Sequence, residues 1–251
     1  MASHPPAHCC TTGVKHEGDH AGKIIKIADK WDAYVAEPAP GKSNGAALVY
    51  LPDVMGIWTN SQLMADQFAA HGYTCVIPDI FAGDALALNR PPGFDLKAWI
   101  AQGSDGKSPH IPATIDPIVE ATIAAIKTQL GFKKIGAVGY CFGGKYAVRH
   151  YKTGIEVAFL AHPSFVEEDE LTAITGPLSI AAAENDKIFS TEKRHLSETL
   201  LQKTGKPYQI NLFSGVAHGF AVRGNLENKI ERFSKDQAFF QAVQWFDAWL
   251  L

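Results

Sequence analysis

Long apolar runs are missing from this chain of 251 residues. None approaches the ~18 residues that a bilayer-spanning helix needs, so a membrane-embedded protein is not expected. Basic clusters are missing too. No run gathers five Lys or Arg, and the formal net charge is −3. Binders of nucleic acid or anionic membrane usually carry such a patch, so neither is expected as the main partner. The opening MASHPPAHCC has no basic segment followed by an apolar one, and so does not read as a signal peptide. No Asn-X-Ser/Thr acceptor occurs. Cysteine is scarce: Cys9, Cys10, Cys75 and Cys141 are the four. Two are adjacent and one sits in the apolar run TCVIP, which is no disulfide framework. A reducing, cytoplasmic setting is the expectation.

What is present suffices for one large domain. The chain is 46% hydrophobic, enough for a full core without disulfides. Residues 1–22 read as a polar N-terminal arm, and 23–251 as the domain. Short strands are expected at Lys23–Ala28 and Asp32–Ala36. Ala46–Leu51, Thr74–Pro78, Ile135–Gly139, Val157–Ala161, Leu178–Ala183 and Tyr208–Phe213 are apolar runs of strand length. Between them lie helical patterns at Asn60–His71, Pro112–Leu130, Gly143–Lys152, Thr191–Thr204 and Asn225–Leu251. Residues 81–111, rich in Gly, Pro and Asp, look like a lid-like insertion with one helical piece near Leu96–Ala101. Strands alternating with helices predict an α/β fold, a mostly parallel sheet with helices on both faces. Ligands in such sheets bind beyond the carboxyl ends of the strands.

The stretch VGYCFGGKYA, residues 138–147, puts Cys141 where a strand turns into a helix. Gly139-Tyr140-Cys141-Phe142-Gly143 fits the pattern G-x-nucleophile-x-G, with cysteine in place of serine. The strained elbow presents its central side chain, and a helix N-terminus favours a thiolate there. The Phe142 N–H would point at a substrate oxygen. His218 lies in SGVAHGF and Asp186 in AAAENDKIF, each shortly after a strand. His162 is the rival base and Glu184 the rival acid. The order nucleophile, acid, histidine is that of the α/β-hydrolase fold.

With these motifs (GYCFGG at 139–144, DKIF at 186–189 and AHGF at 217–220) the sequence resembles the dienelactone hydrolase family over residues 22–251. The resemblance implies an α/β-hydrolase fold with a lid, no metal or cofactor, and a small-molecule substrate. It implies Cys141 as nucleophile, His218 as base and Asp186 as its orienter. A small activated ester or enol lactone would be cleaved through a thioester. Where bacterial members have a glutamate, this chain has Asp53, one methylene shorter. Val54 stands where a second oxyanion donor is expected, beside Phe142. Arg223, five residues after His218, is the candidate clamp for a substrate carboxylate, with Arg90 a second. Trp58, Phe94, Trp99 and Phe220 are the candidate pocket lining. Two other uses of Cys141 stay open: addition to a conjugated system, giving isomerisation, and redox sensing or binding without turnover. His4, His8, His16 and His20 with Cys9 and Cys10 match no closed zinc spacing, so no metal is expected at the arm. The chain is expected to be a monomer or homodimer.

Overall fold

In the computed structural model, residues 1–91 and 93–251 are described. The chain runs β1 (Lys23–Ile27), β2 (Trp31–Ala36), β3 (Ala46–Leu51), α1 (Thr59–Ala70), β4 (Thr74–Pro78), α2 (Leu96–Gln102), α3 (Pro112–Thr128), β5 (Lys134–Tyr140), α4 (Gly143–Arg149), β6 (Val157–Ala161), α5 (Glu168–Thr172), β7 (Leu178–Asn185), α6 (Thr191–Thr204), β8 (Tyr208–Ala217), α7 (Phe220–Arg223) and α8 (Lys229–Trp249). The strands form one eight-stranded sheet in the order β1-β2-β4-β3-β5-β6-β7-β8. β2 pairs antiparallel with β1 and β4, and every pairing from β4 to β8 is parallel. This is the α/β-hydrolase fold that the sequence predicts.

The strands feed two cores because successive side chains point to opposite faces. Along β3, Ala47, Val49 and Leu51 join one cluster with Ile115, Val119, Ile123 and Ile126 of α3. Ala46, Leu48 and Tyr50 join the other, with Met64 and Phe68 of α1 and Phe239, Val243 and Phe246 of α8. Continuous apolar runs such as AALVYL follow from this burial on both faces.

Three features depart from the sequence reading. β8 extends to Ala217 rather than Phe213, carrying the strand almost to His218. The short helices α5 and α7 were not foreseen. The arm, read from the sequence only as a polar segment, is packed: His8–Thr11 form a 3-10 turn, and Ala2, Ser3, Cys10, Thr11 and His16 are buried. The segment expected as an insertion leaves the sheet after β4 and carries α2, while Pro92 within it lies outside the described residues.

Candidate active site

β5 ends at Tyr140 and α4 begins at Gly143, leaving two residues for the turn. Cys141 takes φ 51, a left-handed conformation that costs a side-chain-bearing residue about 1–2 kcal/mol. Glycine on both sides permits the turn. A Cβ at Gly139 would come within 2.8 Å of Gly144 Cα, and one at Gly143 would strike the Leu51 carbonyl. The backbone is pinned. Cys141 N–H donates to Ala161 O (3.2 Å), and Cys141 O accepts from the N–H groups of Gly144 (3.1 Å) and Ser164 (2.9 Å).

The turn after β8 brings His218 to the cysteine. His218 Nε2 is 3.1 Å from Cys141 Sγ, and its Nδ1 is 2.8 Å from Asp186 Oδ2. Asp186 Oδ1 accepts from the backbone N–H groups of Ile188 (2.7 Å) and Phe189 (3.0 Å), which fixes the carboxylate. The three residues expected from the sequence thus form one hydrogen-bonded chain, all of it buried. The rivals do not join it. Both ring nitrogens of His162 are buried without a partner among the described residues, its ring packing edge-on to His218 at 5.0 Å. Burial holds that imidazole well below its ordinary pKa, so it stays neutral. Glu184 instead accepts the Gly215 N–H at 2.7 Å.

Charge in the site is mutual. Burial alone would push the Cys141 thiol up, but the hydrogen bond from Cys10, the charge and hydrogen bond of His218, and Arg223 hold it well below the ordinary value. Burial would lower His218, but the Cys141 charge and the Asp186 carboxylate raise it to about 10. Burial raises Asp186, and His218 outweighs it to hold the carboxyl low. These shifts favour a thiolate–imidazolium pair braced by a carboxylate.

Asp53 and Arg223 are both present but engage each other. Arg223 Nη1 donates to Asp53 Oδ2 at 2.5 Å, with both side chains about 1% exposed. Asp53 Oδ1 accepts the Met55 N–H at 3.1 Å. Burial pushes the Asp53 carboxyl up and Arg223 pulls against it. Two further donors of Arg223 go to the arm: Nε to Thr12 O (3.1 Å) and Nη2 to Cys9 O (3.4 Å). Arg223 therefore does not stand free to meet a substrate carboxylate in this arrangement.

Among the aromatic candidates, Trp99 differs from expectation. Trp99 is buried against Phe81 and His110, with its indole N–H on Asp84 O (3.1 Å), so it is part of the packing beneath the insertion. Phe220 is buried against Phe213 and His162. Arg90 lies over the Phe94 ring at 5.0 Å. Trp58 is half-buried, with its ring N–H unpartnered among the described residues. A surface pocket of about 250 Å³ reaches His218 and Phe220, bordered by Thr12, Gly13 and Arg223. A larger groove of about 800 Å³ between β8 and α8 contains none of the chemical residues.

Sequence reasoning missed the arm's part. Cys10 is fully buried, its Sγ 3.4 Å from His218 Nε2, and Cys141 has no exposed surface. Asn60 anchors the arm. Its side-chain N–H groups donate to Val14 O and Val222 O (2.9 Å each), and its Oδ1 accepts the His16 N–H at 2.8 Å. Asn89 of the insertion adds its N–H to Thr11 O (2.6 Å). The vicinal pair Cys9-Cys10 was the available signal, but no local pattern says where an arm docks. Ser164 was also missed, with its Oγ 3.8 Å from Cys141 Sγ.

An α/β-hydrolase sheet with a cysteine at its strand–helix turn and a histidine after its last strand defines a hydrolase class. The dienelactone hydrolase family model matches residues 31–250. The chain is 48% identical over 252 residues to "Hydrolase pyvD" of Aspergillus violaceofuscus, covering 100% of this chain and 99% of that one. It is 34% identical to "Dienlactone hydrolase 1" of Gibberella moniliformis, over 98% of this chain and 95% of that one. Among solved structures, a dienelactone hydrolase-like promiscuous phosphotriesterase from metagenomic libraries superposes with a TM-score of 0.67 at 14% identity, over 93% of this chain and 99% of that one. The chain belongs to the dienelactone hydrolase family.

Proposed function

We propose that this protein cleaves a small activated ester or enol lactone through a thioester on Cys141. The observation that carries the reading is the continuous chain Asp186–His218–Cys141, with contacts of 2.8 and 3.1 Å. The thiolate attacks the carbonyl carbon, and the oxyanion is held by the N–H groups of Phe142 and Val54. Among the described residues, neither N–H is consumed by a backbone acceptor. The C–O bond breaks, and the leaving enolate takes its proton from His218. An enolate leaves far more easily than an alkoxide, which suits a thiolate nucleophile. Water then attacks the thioester, His218 accepts its proton, and the Cys141 thiolate is released. Asp186 holds the imidazole in the required tautomer throughout.

Arg223 neutralises Asp53 and ties down the arm in the resting state. Because Cys141 is wholly buried, substrate enters by displacing the Cys9–Thr12 segment. That displacement frees the Nε and Nη2 groups of Arg223, which can then donate to a substrate carboxylate.

The test is incubation with a dienelactone in ¹⁸O-labelled water, alongside Cys141→Ala. Ring opening with label incorporated, lost in the variant, supports hydrolysis. Rearranged product without label refutes it.

A further inference from the structure

We propose that Cys10, Cys141 and His218 together bind one thiophilic divalent cation of the zinc(II) class, with the fourth coordination position open. The three donor atoms, two sulfurs and one imidazole nitrogen, all lie within 4.8 Å of one another. Zinc takes thiolate at about 2.3 Å and imidazole nitrogen at about 2.0–2.1 Å, so a tetrahedral site sets sulfur and nitrogen ligands about 3.5 Å apart. The two sulfur–nitrogen separations here are 3.4 and 3.1 Å, so only small side-chain adjustments would seat an ion. Two cysteines, one histidine and an open position is a ligand set that zinc sites use.

The surroundings fit as well as the donors. A metal-bound histidine usually gives its other ring nitrogen to a carboxylate, which fixes the tautomer and strengthens the ligand. His218 Nδ1 has that partner in Asp186 at 2.8 Å. Cys10 Sγ accepts the Ala7 N–H at 3.4 Å, and Cys141 Sγ has Ser164 Oγ at 3.8 Å. Binding releases two protons, one from the Cys10 thiol and one from His218 Nε2, and the two thiolates then balance the dication. Entry is by the pocket of about 250 Å³ that reaches His218. No local spacing announces the site, since Cys10 and His218 are 208 residues apart.

The proposal rests on this geometry and stands whether or not the site cleaves esters. If it does, the ion occupies both the nucleophile and its base, and holds the enzyme inactive until a chelator removes it.

The test titrates the reduced full-length protein with cobalt(II), then displaces it with zinc(II). The expected result is one equivalent bound, with thiolate-to-cobalt charge-transfer and tetrahedral d–d bands that zinc abolishes. Changing a group behind a metal ligand typically costs 10- to 100-fold in affinity, so losing a ligand in Cys10→Ser should cost at least about 100-fold. Cys141→Ser guards against one variant misfolding and should show the same loss. Cys9→Ser, outside the trio, keeps the bands. Absence of charge-transfer bands in wild type overturns the site. So does cobalt binding that survives Cys10→Ser at wild-type strength, which would place the ion on the arm histidines.

Discussion

Arg223 and Asp53 meet at 2.5 Å where the arm, the β3–α1 turn and α7 converge, and neither side chain is exposed to water. Breaking a buried pair leaves one uncompensated charge and costs about 3–5 kcal/mol. Asp53→Asn should therefore lower the unfolding free energy read from urea denaturation by an amount of that order. The double variant Asp53→Asn with Arg223→Met should lose less than the sum of the singles. Strict additivity in a double-mutant cycle would show that the pair is not coupled.

Cys141→Ala should lower hydrolysis of an enol lactone by about 10⁴-fold or more, the scale seen when a nucleophile that acts as part of a unit is removed. Circular dichroism should be unchanged. Residual activity within tenfold of wild type would move the nucleophile elsewhere.

Asp186→Asn keeps the shape but offers an amide to Nδ1. The imidazole then has no carboxylate to fix its tautomer or balance its charge, and kcat should fall by about 10⁴-fold. His218 should also titrate nearer its ordinary value, because the carboxylate is one of the groups that raise it. NMR of the ring protons during a pH titration reads that shift directly.

The thiolate–imidazolium pair sets the pH profile. Cys141 is held well below its ordinary value, so the thiolate persists as pH falls through neutrality. His218 keeps its proton up to about pH 10. With a substrate that does not titrate, kcat/KM should be level across neutral pH and decline above about 10. A decline centred near pH 6.5, the ordinary histidine value, would contradict the pairing.

Gly13 lies against Arg223 with φ 152, and a Cβ there would collide with the Arg223 side chain and backbone. Gly13→Ala should loosen the arm and speed alkylation of Cys141 by iodoacetamide, followed by peptide mass mapping. An unchanged rate would mean that the arm does not limit access.

The sequence by itself determined the sheet, the place of Cys141 at the strand–helix turn and the chain order of Cys141, Asp186 and His218. Apolar runs of strand length, helical periodicity and the glycines around Cys141 are local consequences of backbone sterics, and local sequence records them. Asp186 and His218 were legible because each follows a strand, and parallel strands deliver their carboxyl ends to one edge. The docking of the arm was not legible. Cys10 reaches His218 because Asn60, Asn89 and Arg223, scattered along the chain, hold the arm through Val14, His16, Thr11 and Thr12. Arg223 looked free because its spacing from His218 says nothing of Asp53, which arrives from β3. Trp99 reads as pocket lining because aromatic side chains serve packing and binding alike. Only the tertiary structure decided between those uses, because burial and pairing depend on which distant segments the fold brings into contact.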